Sequence, residues 1–407
     1  MRWIHHGGTV CALCPRGHVL NRITGMGPVY PYHGRDPMPA LERAICRAKP
    51  DIVIPCDDRA VWLLHALYER EPRHRDLIEA SLGSPVHYGV VRSRTRFMAM
   101  AGQIGLRVPE TYEIGSKREL QAALEKFSGT AVLKLDGTTG GQGVQIIRSA
   151  QQGLDAWRKL TRRPPPGLAW KRWLINRDPL AFWPGLRQDG ATVSLQRFIS
   201  GQPANAMLAC WRGEVLGITT AEVLGTQGPT GASTIVRLVR NDEITDIGRA
   251  VAREFNLSGF FGLDFILEDQ SRHAYLIELN ARCTQLGHLP LPDQGDLAGL
   301  LCARLGSGGA QIVDKPIETD LIAFFPQAFC WEPDSAYLPQ CYLDIPQTEP
   351  ELVRELLRGD WPERQWLGRV YHFLRRKKSR QAVIREALQR DAIVEQVSGI
   401  IQAGGAS

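Results

Sequence analysis

Between Val132 and Val144 the chain reads Val-Leu-Lys-Leu-Asp-Gly-Thr-Thr-Gly-Gly-Gln-Gly-Val, with glycines at 137, 140, 141 and 143. Glycines lack a Cβ, so the backbone can turn successive N–H groups toward one anion. Lys134, on the β-type run before them, supplies a compact positive charge suited to phosphate oxygens. No Gly-Lys-Ser/Thr ends the run, so it is not a Walker P-loop. A second β-type run follows it where a dinucleotide-binding fingerprint would have a helix. The pattern predicts a loop between two strands that closes over phosphates. A long hairpin turn with spare glycines is the plainer reading.

A second group of residues asks for a cation. Gly262-Leu263-Asp264-Phe265-Ile266 is followed by Tyr275-Leu276-Ile277-Glu278-Leu279-Asn280-Ala281-Arg282. Strand side chains alternate, which puts Glu278 and Asn280 on one face and Tyr275, Ile277 and Leu279 on the other. The polar stretch 268–273 is centred midway between Asp264 and Glu278, so a hairpin folded there sets the two carboxylates opposite each other. They would repel without a cation between them. Hard oxygen donors in small number suit Mg²⁺, with Mn²⁺ as the alternative, the remaining positions going to water and phosphate. The plainer reading here is a surface hairpin with its polar residues outward.

Lys134 with its glycines, Gln196-Arg197-Phe198-Ile199 ahead of Gly201, and Asp264 with Glu278-x-Asn280-x-Arg282 together resemble the ATP-grasp superfamily, in particular domains similar to those of the carbamoyl-phosphate synthase large chain. The resemblance covers roughly residues 1–310. It implies an α/β pre-grasp domain followed by an ATP-grasp domain of two α+β subdomains. It further implies that Arg94 contacts phosphate, that Lys134 binds the α- and β-phosphates, and that Gly140, Gly141 and Gly143 close over the γ-phosphate. Gln196, Arg197, Phe198 and Ile199 would form the hinge whose backbone reads adenine. Asp264, Glu278 and Asn280 would hold one or two Mg²⁺ ions, and Arg282 would stabilise charge on the transferred phosphoryl group or acyl intermediate. The family's acidic ribose contact after the hinge has no counterpart in Gln202-Pro203-Ala204-Asn205.

These groups need elements to carry them. Residues 1–90 read as an α/β unit, with strands at 9–14 and 51–55 and helices at 41–48 and 61–68, consistent with a parallel sheet. The unit starts at what looks like the end of a first helix, so a strand is absent or lies upstream. Residues 91–310 alternate helical and β-type runs and hold every motif above. Residues 311–407 read as a mainly helical region, with helices at 349–358, 363–375 and 381–401. That region could complete the active site, form a homodimer or recruit a partner.

Composition narrows the setting. The chain has 407 residues, 43% of them hydrophobic and 23% charged, with a formal net charge of +6. Those are values for a globular protein of two or three domains. No apolar run is long enough to span a membrane and the start lacks a signal-peptide core, which predicts a cytoplasmic protein. Cys11, Cys14, Cys46, Cys210 and Cys302 lie in apolar runs, as buried reduced thiols would. Cys11, Cys14 and His18 lack the second ligand pair of a zinc site. The basic run Arg375–Arg380 reads as a solvated helix face before a nucleic-acid surface. Arg237, Arg240 and His288 are lesser candidates for substrate contact, as is the tryptophan- and arginine-rich segment 162–187.

The function these expectations add up to is an ATP-dependent carboxylate ligase. A carboxylate attacks the γ-phosphate, and an amine or other nucleophile displaces phosphate from the resulting acylphosphate. A phosphotransferase on the same fold and a non-catalytic ATP-binding regulator are the alternatives.

Overall fold

The structure is a computed structural model, and it describes residues 1–32, 36–127, 129–136, 143–161, 192–291, 295–306 and 317–357. The N-terminal unit begins with a helical turn, α1 (Arg2–His5), and the strand β1 (Ala12–Cys14), which pairs in parallel with β2 (Val29–Pro31). Helices α2 (Met38–Ala48), α3 (Asp58–Arg70), α4 (Arg75–Leu82), α5 (Tyr88–Val91) and α6 (Arg94–Gln103) follow. Asp57 caps α3 by accepting from the Ala60 amide at 2.8 Å. The helix buries Leu63, Leu64 and Leu67, a spacing that forms one apolar stripe. The strand expected at 51–55 is not one. Its backbone is extended, but the Val53 amide donates to the Ser81 hydroxyl and the Pro55 carbonyl accepts from the Cys283 amide. These contacts tie the segment to a helix and to the second region, in place of a ladder.

The first grasp sheet is small and antiparallel. It contains β3 (Thr111–Ile114), β4 (Ala131–Leu135), β5 (Val144–Ile147) and β6 (Val193–Arg197), in the spatial order β3-β6-β4-β5. Helices α7 (Lys117–Lys126) and α8 (Ala150–Thr161) cover one face, so that Leu120, Ala123 and Leu154 pack with Ala131, Leu133 and Leu195. Lys134 points the other way.

The large sheet is built from β7 (Gly201–Trp211), β8 (Glu214–Thr226), β9 (Ser233–Leu238), β10 (Gly259–Glu268) and β11 (Ala274–Asn280), with α9 (Asp242–Glu254) between β9 and β10. Strand β10 shows how it is buried. Phe261, Leu263, Phe265 and Leu267 enter the core shared with α3 and α6, while Phe260 enters a second core on the opposite face with Met207 and Leu286. Each such fully buried Phe or Leu contributes roughly 1.5–3 kcal/mol. A minimal pairing of β12 (Pro290–Leu291) with β13 (Gly295–Asp296) leads into α10 (Leu297–Arg304).

The described part of the region read as mainly helical departs from that reading. Residues 321–324 form β14 (Leu321–Phe324), antiparallel to β9, and after α11 (Gln327–Trp331) the strand β15 (Tyr342–Asp344) runs parallel to β14. The sheet order is therefore β11-β10-β7-β8-β9-β14-β15. The run Leu-Ile-Ala-Phe is buried throughout, which suits an interior strand. Helix α12 (Pro350–Leu356) follows, and the buried Glu349 before it accepts from the Thr24 amide at 3.0 Å and the Thr24 hydroxyl at 2.9 Å. This segment thus both widens the sheet and clasps the N-terminal unit. The helices expected at 363–375 and 381–401, and the basic run 375–380, lie outside the described residues.

Candidate active site

The site is assembled at the end of the hairpin β10–β11. Asp264 and Glu278 are direct cross-strand partners, as are Leu263 and Leu279 on the core side and Gly262 and Asn280. A register shift then follows, because Phe265 pairs with Leu276 and Ile277 is left over as a β-bulge. The bulge corrects the strict alternation expected for β11. Leu276 and Ala274 fill the core, and Tyr275 does not. The extra residue also serves the site, since the ammonium of Lys134 reaches the carbonyl oxygen of Ile277 at 3.5 Å.

The two carboxylates sit in different electrical surroundings. Asp264 accepts from the side-chain amides of Asn205 at 2.6 Å and Asn280 at 3.0 Å. Burial and the neighbouring Glu278 charge still push its pKa up to about 6. For Glu278 burial acts in the same direction, but Arg94 and Lys134 outweigh it and hold the carboxylate below its ordinary value. Arg94 donates to Glu278 at 2.7 Å and to Asp136 at 3.1 Å, so its guanidinium links the start of the glycine-rich loop to the hairpin. Lys134 is almost fully buried, and burial followed by the Arg94 charge lowers its pKa to about 8. Arg282 donates from Nε to Asp58 at 3.0 Å and from Nη2 to the Asn280 oxygen at 3.1 Å.

Three groups here are not singled out by the sequence pattern. Asn205 is a lone polar residue in the apolar run of β7, and the β7–β10 register pairs it with Asp264. Its own oxygen accepts from Ser233 at 3.3 Å, which fixes the amide so that its NH₂ faces the carboxylate. Asp136 reads in the sequence as part of the loop alone. Asp58 lies 224 residues from Arg282 and at the start of α3, so no local pattern joins them.

The donor set fits a hard divalent cation. Two carboxylates lie side by side with Asn280 beside them, its NH₂ toward Asp264 and its oxygen toward Arg282, so Asn280 would join them as a ligand by turning its amide. Mg²⁺ held by Asp264, Glu278 and Asn280 would supply charge neutralisation for phosphate oxygens.

The other expected residues are placed as follows. Gly143 is buried at the start of β5 and its carbonyl accepts from the Leu135 amide at 2.9 Å; Gly140 and Gly141 lie outside the described residues. Gln196 is buried and donates to the Thr111 hydroxyl at 3.2 Å. The amides of Arg197 and Phe198 donate to the carbonyls of Glu110 and Thr130. Past Phe198 and Ile199 the chain crosses from the small sheet to the large one. His288 sits 2.9 Å from both oxygens of Asp344. Burial would lower its pKa, but Asp344 outweighs that and raises it. Arg237 and Arg240 pair with Asp320 and Asp242 at the surface. His18 accepts from the Leu20 amide as a local cap. Cys14, Cys210 and Cys302 are buried as expected, whereas Cys46 is exposed. The segment 162–187 lies within the residues not described.

Residues 182–285 match the ATP-grasp domain family. The fold is that of an ATP-grasp protein. Among solved structures, the chain is similar to the biotin carboxylase domain of Hydrogenobacter thermophilus 2-oxoglutarate carboxylase, in complex with MgADP, ADP and bicarbonate. That similarity has a TM-score of 0.53 at 12% identity, covering 77% of this chain and 67% of that one. Carboxyaminoimidazole ribonucleotide synthase of Aspergillus clavatus, complexed with ATP, gives 0.52 at 16% identity over 74% and 71% of the two chains. The N5-carboxyaminoimidazole ribonucleotide synthetase of Thermus thermophilus gives 0.53 at 14% identity over 75% and 74%. By sequence, a formate-dependent phosphoribosylglycinamide formyltransferase from Bacteroides fragilis is 28% identical over 117 residues, a stretch spanning 29% of each protein. The chain therefore shares its fold with the solved structures and under a third of its length with that relative. Among the described residues no helix is long and apolar enough to cross a membrane.

Proposed function

We propose that the protein is an ATP- and Mg²⁺-dependent ligase that phosphorylates a small carboxylic acid and passes the acyl group to an amine or similar nucleophile. The observation that carries this reading is the convergence of Lys134, Arg94, Arg282 and the Asp264–Glu278 pair from four separate elements on one point. Such a set neutralises and positions phosphate, which is most of what phosphoryl transfer requires. The acid's oxygen forms a bond to the γ-phosphorus as the bond to the β-phosphate oxygen breaks, giving acylphosphate and ADP. The nucleophile then bonds to the acyl carbon and inorganic phosphate leaves.

The residues divide this work. Glu278, Asp264 and Asn280 hold the cation, Lys134 and Arg94 bind phosphates, and Arg282 meets the transferred group or the acyl oxygen. Gly140, Gly141 and Gly143 close over the γ-phosphate, and residues 196–199 hold adenine. The relatives' names support the chemistry, since they include a formate-dependent transferase and carboxylating enzymes crystallised with ATP, ADP or MgADP. Nine free cysteines fit a reducing, cytoplasmic setting.

The test is turnover with Mg-ATP and a panel of acids and amines. ADP and phosphate are expected. Release of AMP and pyrophosphate would remove the acylphosphate route, and a stable phosphorylated product would make the protein a phosphotransferase.

A further inference from the structure

One ion pair at the site joins segments that no motif links. Asp58 belongs to the N-terminal unit, and its Oδ1 accepts from Nε of Arg282, 224 residues further on, at 3.0 Å. Local structure fixes the acid. Asp57 caps α3 through the Ala60 amide, which sets Asp58 in the first turn of a 13-residue helix. Just before that turn the Pro55 carbonyl accepts from the Cys283 amide at 3.1 Å. This backbone bond ties the same two segments and does not depend on the Asp58 side chain.

Arg282 is held by two of its three guanidinium nitrogens. Nε is on Asp58 and Nη2 is on the Asn280 oxygen at 3.1 Å, while Nη1 makes no hydrogen bond among the described residues. The side chain is 21% exposed. A planar fork anchored at two nitrogens points its remaining N–H groups in a set direction. Donors fixed in this way act on an oxyanion without having to reorganise.

The other acids that feel Arg282 are the ones assigned to the metal. Behind the larger effects of burial and of closer groups, its charge acts on both Asp264 and Glu278. At Asp58 burial raises the pKa and Arg282 opposes that rise, so the carboxylate and the guanidinium stabilise each other's charge. Released from Asp58, the guanidinium would be drawn to Asp264 and Glu278 and would compete with a cation for the same oxygens.

We infer that Asp58 is a positioning residue: it holds the Arg282 fork off the Asp264–Glu278 pair, which leaves that pair to the cation and Nη1 to an oxygen of the reacting group. This rests on the roles proposed above for Arg282 and the metal pair, and it brings the N-terminal unit into the site through a single carboxylate. A purely structural role is a poorer match. The Pro55–Cys283 bond already joins the two segments, and the carboxylate is spent on a guanidinium of the site rather than on α3.

The experiment is a double-mutant cycle read on metal binding. Mn²⁺ binding to the full chain is followed by the EPR signal of the free ion, with thermal melting of every variant as the folding control. Asp264→Asn should weaken binding by about tenfold or more, which checks the metal pair by itself. Asp58→Ala should weaken it about tenfold and Asp58→Asn about threefold, because the amide oxygen still accepts from Nε but carries no charge. Asp58→Glu should restore it to within about twofold of the wild type. In an Arg282→Gln background Asp58→Ala should change it by no more than about twofold, since no fork is left to swing. Equal weakening by Asp58→Ala with and without Arg282, or none in its presence, would overturn the inference. Should Asp58→Ala fail to fold, Asp58→Asn carries the same cycle. If Asp264→Asn leaves Mn²⁺ binding unchanged, the metal assignment falls and the inference falls with it. If Asp264→Asn weakens binding and Asp58→Ala does not, the inference falls alone.

Discussion

The two grasp sheets differ in what they bring to the site. The large sheet carries the acids, on strands of 10 and 7 residues in a sheet whose side chains enter apolar cores on both faces. The small sheet carries Lys134 and Asp136 on and just after a strand of five residues, with helices on one face only. The half proposed to hold the metal is thus fixed by ladder register and core packing. The half proposed to bind phosphate is held to it across an interface, through the Arg94 bridge and the Lys134–Ile277 contact. An anionic wall faced by a cationic wall on a separate sheet suits the proposed function, which requires a site that admits a nucleotide and then encloses it.

The strongest way to break this comparison is at Glu278. Glu278→Ala should cut ADP release about 10²–10³-fold, as loss of a group that stabilises developing charge does. It should also destabilise the nucleotide-free protein by up to about 3 kcal/mol in a urea melt, because Arg94 and Lys134 lose their counter-charge. Asp264→Asn should abolish stabilisation by Mg-ATP while leaving the nucleotide-free melt equal or better, since it removes the carboxylate that burial and Glu278 disfavour. Equal behaviour of the two variants would mean that the carboxylates are not held in opposite surroundings.

Lys134→Ala tests the cationic wall. It should raise the KM for ATP about 10–100-fold with little effect on folding, measured by initial rates and melting temperature. A large loss of stability would show that Lys134 is a structural link between the sheets. Asn205→Ala acts behind the metal group and should weaken Mg²⁺ dependence about tenfold, read from a Mg²⁺ titration of ATP turnover.

The smallest effect lies in the core that braces the large sheet. His65 stacks on Tyr88 with ring centroids 4.1 Å apart, and burial together with the Arg92 charge lowers its pKa to about 3. The folded value lies below the unfolded one, near 6.5, so the unfolded chain binds the extra proton first. Stability from this group is complete above about pH 6.5 and is lost on acidification toward pH 3, by up to about 1.4 kcal/mol per pH unit. His65→Gln should flatten the slope between pH 6.5 and 5 in denaturant melts.

Much of this was legible in the sequence. The Asp264–Glu278 pairing followed from the polar stretch centred between them, because a hairpin turn sets register. The two strands flanking the glycine-rich stretch were legible from their β-type runs, and they pair as β4 and β5, while Gly137, Gly140 and Gly141 lie outside the described residues. The bulge at Ile277 was not, since it is a choice between two ladders that the contact from Lys134 helps decide, and so the faces of Tyr275 and Leu276 were misread. Asn205 could have been found by carrying the register one strand further, to β7. Asp58 could not, because its link to Arg282 joins distant segments. Residues 321–324 were read as part of a helical region though their four apolar residues in a row suit a central strand, and the reading of 51–55 as a strand failed because its partners are a side chain and a loop amide.

The bulge at Ile277 also sets what insertions and deletions the hairpin can absorb. The turn between Glu268 and Ala274 is exposed, and residues added there leave every pairing from Asp264 to Asn280 untouched. Removing the one surplus residue at 277 is different. Without it Leu276 would adjoin Glu278 in a regular ladder and every residue from Ala274 to Asn280 would keep its face, so what is lost is the Ile277 carbonyl that Lys134 reaches. The hairpin therefore tolerates length variation at its tip, whereas the surplus residue at its base is tied to Lys134, so within related chains the spacing from Glu278 to Arg282 is the stretch expected to hold constant while the turn drifts.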